Sequence, residues 1–104
     1  MSEAEIQRMI MQKLSEYGAV FRINNGGWYT KDGRYVPPSV PPGFSDLIFC
    51  RDGRITFIEV KTPTGKVSKE QINFLGMVFG KYGCNAGVAR SVEDALKLIG
   101  EVQN

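Results

Sequence analysis

Residues 46–61 read DLIFCRDGRITFIEVK, and the way this stretch folds back on itself sets the architecture. The runs 46–50 and 54–61 are rich in apolar, β-branched and aromatic residues and are joined by Arg51-Asp52-Gly53. An Asp-Gly pair between two such runs is a strong hairpin signal, so the two strands are expected to pair antiparallel. Period-two alternation along the second strand puts Ile55, Phe57, Glu59 and Lys61 on one face and Thr56, Ile58 and Val60 on the other.

Toward the C-terminus, Pro63 and Gly65 break the chain, and a helix is expected over 69–82 with Ser68 as N-cap. A short strand follows over 85–90, and Ser91 caps a last helix in which Val92, Ala95, Leu96 and Ile99 share a face. Toward the N-terminus, residues 3–17 read as an amphipathic helix with Ile6, Ile10, Leu14 and Tyr17 on one stripe, ended by Gly18. Residues 19–24 (AVFRIN) form a strand. Between them and the hairpin lies 25–45 (NGGWYTKDGRYVPPSVPPGFS), too long for a plain connector and suited to a substrate-facing flap. The order αβββαβα implies a mixed α/β fold, a mixed β-sheet flanked by helices, because the helix between the third and fourth strands is a crossover that sets them parallel.

At 104 residues, 42% hydrophobic and 23% charged, the chain has the composition of a soluble globule with one domain, 1–104, and one modest core. A net charge of +2 means that any grip on nucleic acid comes from a local patch or an oligomer. Two cysteines, Cys50 and Cys84, and no histidine leave no disulfide framework, no zinc site and no imidazole chemistry. A reducing cytoplasm fits best. The start MSEAEIQRMIMQKL is acidic and helical in its spacing, unlike a signal peptide, and no stretch is long enough to span a bilayer.

Any catalysis must therefore use carboxylates, lysine, tyrosine, cysteine or a metal. Glu59 and Lys61 lie about 7 Å apart on one strand face, which suits a site where the first holds a divalent cation and the second orients a water or steadies developing charge. The plain alternative is a strand end with an incidental ion pair. Asp46, paired across the hairpin with Glu59, supplies the second carboxylate that a hard cation needs, although after Pro-Pro-Gly-Phe-Ser it could equally be a turn former. Glu3 falls within the apolar stripe of the first helix and is expected to face inward for a functional task, or else to be a first-turn acid favoured by the helix dipole. Gln71 completes a capping box with Ser68. On its helix Ile72, Leu75 and Phe79 make the expected core stripe, with Gly76 and Gly80 a smooth strip for close packing.

Lys66, Lys69, Arg22 and Arg90, with Lys31, Arg34 and Lys81, are candidate phosphate contacts, though scattered basic residues are usually a solvated surface. Trp28, Tyr29 and Tyr35 could stack on an unpaired base or pack on a partner, with anchoring of the loop to the core the better-favoured use. No Gly-rich phosphate loop appears, which counts against an enzyme of small nucleotides.

The set Glu3, GFSD ending at Asp46, IEVK with Glu59 and Lys61, and Gln71 on the following helix resembles the VRR-NUC branch of the PD-(D/E)XK nuclease superfamily, in its compact stand-alone viral or bacterial form. The resemblance covers almost the whole chain, with Ser45 where the superfamily name would place proline. It implies a restriction-endonuclease-like core in which Asp46, Glu59 and the backbone carbonyl of Val60 bind magnesium or manganese. Glu3 would complete or assist the metal shell, Lys61 would help the attacking water, and Gln71 matches a helix glutamine of the motif. It further implies an endonuclease on DNA, similar to Holliday-junction resolvases that act as homodimers on four-way junctions in the cytoplasm of a bacterial or phage-infected cell, with no organic cofactor. The alternative is a non-catalytic DNA-binding or interaction module on the same fold.

Overall fold

The computed structural model describes residues 1–101; residues 102–104, the end of the expected domain, lie outside them. The elements are α1 (Glu3–Leu14), β1 (Ala19–Arg22), β2 (Trp28–Tyr29), β3 (Tyr35–Val36), β4 (Leu47–Arg51), β5 (Arg54–Val60), α2 (Lys69–Gly80), β6 (Asn85–Ala89) and α3 (Val92–Leu98). Asp52 and Gly53 both adopt positive φ, 52° and 75°, and Arg51 pairs with Arg54, so the expected β4–β5 hairpin closes through a two-residue turn whose twist suits antiparallel strands. β1 adds antiparallel to β4, while α2 carries the chain back so that β6 runs parallel to β5. The result is a mixed four-stranded sheet in the order β1-β4-β5-β6.

One face of this sheet packs under α1 and α3. Ile6, Ile10 and Leu14 meet Leu47, Phe49, Ile58 and Val60, and Ala95, Leu96 and Ile99 close the core. Each fully buried aliphatic side chain contributes roughly 1.5–3 kcal/mol relative to exposure. On the opposite face Phe57 stacks edge-on to Phe44 and Phe74, with ring centroids 6.0 and 5.6 Å away, which brings α2 down onto the sheet.

Two expectations need correction. The buried stripe of α2 is Phe74 and Val78, whereas Ile72 and Phe79 are 58% and 61% exposed and Leu75 is half-buried. Apolar residues occur on nearly every side of this helix, so spacing alone cannot choose a face; the Phe44–Phe57–Phe74 cluster chooses it. In consequence Gly76 and Gly80 turn outward, with open space where a Cβ would stand, and the expected close packing is not made within the described chain. The segment 25–45 also holds more structure than a flap. Trp28 pairs with Val36 and Tyr29 with Tyr35 in a separate two-stranded hairpin. Its rings are 52%, 71% and 53% exposed for Trp28, Tyr29 and Tyr35, so they do not anchor the segment to the core. Phe44 does that. Among the described residues no helix is long and apolar enough to cross a membrane.

Candidate metal and catalytic centre

Because Leu47 pairs with Ile58, the residues one step outward on each strand, Asp46 and Glu59, are the next neighbours across the hairpin. Both are buried, at 9% and 1% exposure. Asp46 is held from two sides. Its Oδ2 accepts from the Val60 backbone N–H at 2.8 Å and its Oδ1 from the Asn25 side-chain amide at 3.0 Å. The same amide nitrogen donates to the Phe44 carbonyl at 2.9 Å, which pins the two ends of the long segment together at the site.

Glu59 is held from the helix side: its Oε1 accepts from Gln71 Nε2 at 2.9 Å. The other oxygen, Oε2, is buried with no hydrogen-bond partner. Burial first, then the adjoining Asp46 carboxyl, which favours a shared proton and repels a second negative charge, push the Glu59 pKa from 4.5 up to about 9; Lys61 pulls it down and Glu3 adds a further push upward. A buried carboxylate oxygen without a donor is satisfied by a proton shared with Asp46 or by a cation.

Gln71 closes the expected capping box and at the same time touches Glu59. Its Oε1 accepts from the Ser68 N–H at 2.8 Å in the capping box, which leaves Nε2 free to reach Glu59. The loop arrives on this first turn only because residue 43 is glycine: its φ is +84°, and a Cβ there would collide with the Glu70 carbonyl and lie 2.9 Å from the Gln71 nitrogen. Asn25 and Gly43 were not among the expected site residues. Both sit in Gly- and Pro-rich runs where they read as turn formers, and nothing local in the sequence ties Asn25 to an aspartate 21 residues away.

Glu3 corrects a different expectation. It is exposed, being the first helical residue after the Ser2 N-cap, and so carries no burial cost. It nevertheless lines the same open cleft as Asp46, Glu59 and Gln71. Glu5, which points away from the stripe, closes the capping box with Ser2. Lys61 acts on Glu59 through its charge, while its stem runs beside Gly65, outside the lining of the cleft. Val60 enters through its N–H. Arg22, Lys66 and Lys69 are exposed. Arg90 is engaged: its Nη1 donates to the carbonyls of Thr62 at 2.6 Å and Gly65 at 2.7 Å, holding the turn that follows Lys61.

Among the described residues no cluster of three or more acidic or cysteine side chains could enclose a metal by itself. Two carboxylates are present, and a small hard cation takes one or two from the protein and keeps its other positions for water and phosphate. The donor set and the unpartnered Glu59 oxygen fit such an ion.

The profile of the VRR-NUC domain matches residues 1–93. A solved structure described as a VRR_NUC domain is similar over 95% of this chain and 96% of that chain, with a TM-score of 0.65 and 24% identity, a likeness that speaks for the fold. No curated protein matches the chain. With that profile spanning most of its length, the chain belongs to the VRR-NUC family and carries a nuclease-type domain.

Proposed function

We propose that the protein is a magnesium- or manganese-dependent endonuclease that hydrolyses DNA phosphodiester bonds, with a preference for branched DNA such as four-way junctions. The observation that carries this reading is the Asp46–Glu59 pair, buried, rigidly held and opening onto a cleft with one carboxylate oxygen unpartnered. Asp46 and Glu59 would hold the ion, with the Val60 carbonyl and Glu3 as further ligands. When bound, it would polarise the phosphate and offset developing charge. Asn25 and the Val60 N–H keep Asp46 aimed, and Gln71 keeps Glu59 aimed, so neither carboxylate must reorganise during reaction. Lys61, whose charge acts on Glu59 from beside the cleft, would swing in to orient the attacking water and balance negative charge, while Lys66, Lys69 and Arg22 contact backbone phosphates and Arg90 fixes the turn that leads to Lys66.

The protein acts as a homodimer in this reading. Ile72, Gly76, Phe79 and Gly80 fall within one sector of α2 by helical spacing, opposite the buried stripe. Two large apolar side chains beside two glycines make a self-complementary face, as an isologous two-fold interface requires. Incubation with a labelled four-way junction and with linear duplex of equal sequence tests the reading. Nicking of the junction that needs magnesium or manganese and disappears in Asp46→Ala is expected. Binding without cleavage in either metal would favour the non-catalytic module, for which the exposed aromatic hairpin speaks.

A further inference from the structure

The β2–β3 hairpin is the one strand pair of the described chain that stands apart from the main sheet, and its aromatic side chains face outward without packing on the core. β2 and β3 make extensive contact only with each other. The molecule is correspondingly long, 51 × 33 × 27 Å, with a radius of gyration of 14.2 Å, above the roughly 13 Å usual for a chain of this length. Exposed rings on an isolated two-stranded ribbon are costly in water, because such a ribbon is marginal by itself and buries little.

The hairpin is nevertheless built in detail. Tyr29 and Tyr35 face each other across the strands with ring centroids 5.2 Å apart. The Tyr35 phenol lies over Gly27, where a Cβ would collide with it, so glycine at 27 seats the ring. The turn is tied by the Thr30 N–H to the Arg34 carbonyl at 2.8 Å and by the Arg34 N–H to the Thr30 hydroxyl at 3.0 Å. Asp32, the only acid in the turn, has its carboxylate engaged by the Thr30 hydroxyl. Lys31 and Arg34 are exposed and make no salt bridge among the described residues. Both roots of the hairpin end at the cleft, through Asn25 on one side and Pro42 to Phe44 on the other.

We infer that this hairpin is an arm that takes unpaired nucleotides of the substrate beside the cleft, its exposed rings stacking on bases and Lys31 and Arg34 holding phosphates. The inference rests on the nuclease reading for its placement of the substrate strand. Open ring faces with adjacent cations match a polymer that offers π-faces and a charged backbone together. A paired duplex does not fit, since its bases are stacked on one another and show only their edges. The substrate class is therefore DNA with single-stranded or frayed nucleotides next to the cut, and the exposed tyrosines are positioning residues.

Trp28 is the only tryptophan in the chain, so its emission reports on the arm directly. The test is a titration of the full chain, in chelator, with an oligothymidylate of about ten nucleotides and with a blunt duplex of that length. Saturable quenching by the single strand, several-fold tighter than by the duplex, is expected. Tyr29→Ala should weaken it about tenfold, and Lys31→Gln, which leaves the rings in place, should lower the salt dependence by about one charge, both with an unchanged melting temperature. Equal quenching by duplex, no quenching, or emission that changes with protein concentration alone would each overturn the inference, the last by assigning the rings to a second copy. Metal-dependent cleavage of DNA by the same preparation separates the two readings. Cleavage without quenching removes the arm and keeps the nuclease; quenching without cleavage keeps the arm and removes the nuclease.

Discussion

Glu59 is the residue at which stability and function pull apart. A buried carboxyl with an unsatisfied oxygen beside a second carboxyl destabilises the metal-free fold. Glu59→Gln keeps an acceptor for Gln71 and places an amide donor next to Asp46. It should raise metal-free stability by about 1–2 kcal/mol at alkaline pH in urea unfolding, and abolish cleavage. The same group sets a pH dependence. Its folded-state pKa of about 9 lies above the ordinary 4.5, so between those values the folded chain binds one more proton than the unfolded chain. The stability lent by that proton is complete below the lower value and is lost as pH rises toward the upper one. The metal-free melting temperature is expected to fall across this window, and to fall less in Glu59→Gln. Glu5 and Asp32, held low by hydrogen bonds from Ser2 and Thr30, titrate below it. At Asn25, replacement by alanine removes a donor to Asp46 without opening the core, and cleavage should drop about 10- to 100-fold with the melting temperature nearly unchanged.

At the scale of elements, the site depends on how α2 and the long segment meet. Gly43→Ala puts a side chain into the Glu70 carbonyl at a backbone angle that alanine rarely adopts. It should lower the urea midpoint by an amount equivalent to about 2 kcal/mol and reduce cleavage, since the Gln71 turn must shift. The elements that repeated a short period were legible in the sequence. Asp52-Gly53 announced the hairpin, and the alternation along β5 placed Glu59 on the face opposite Ile58. Ser68 and Gln71 announced the cap. The β2–β3 pairing was not legible, because two-residue strands carry no period to detect. Nor was the face of α2, where apolar residues surround the helix and a ring from elsewhere, Phe44, decides. Asn25 was hidden for a related reason: its partner is fixed only after the sheet has formed. Strand and helix spacing picked out Asp46, Glu59, Lys61 and Glu3, the resemblance added the Val60 carbonyl and a site role for Gln71, and the geometry added Asn25 and Gly43, which hold them.

For the whole molecule, the outward face of α2 and the aromatic arm are exposed apolar surfaces with different proposed partners, a second copy for the first and unpaired nucleotides for the second. Phe79 is 61% exposed, so Phe79→Asp costs the folded chain little. In light scattering it should convert a dimer into a monomer and slow paired nicking of a junction while leaving single nicks. A monomeric wild type at micromolar concentration would remove the α2 face from the proposal.

In the proposed function Asp46 and Glu59 hold a metal ion, and the raised pKa of Glu59 couples binding of that ion to loss of the Glu59 proton. Calorimetric titration of manganese near neutral pH, in two buffers of different ionisation enthalpy, tests it most directly. One site that releases about one proton on binding, and that is lost in Glu59→Gln, is the predicted result. Binding with no proton released, or binding that Glu59→Gln leaves intact, would contradict it.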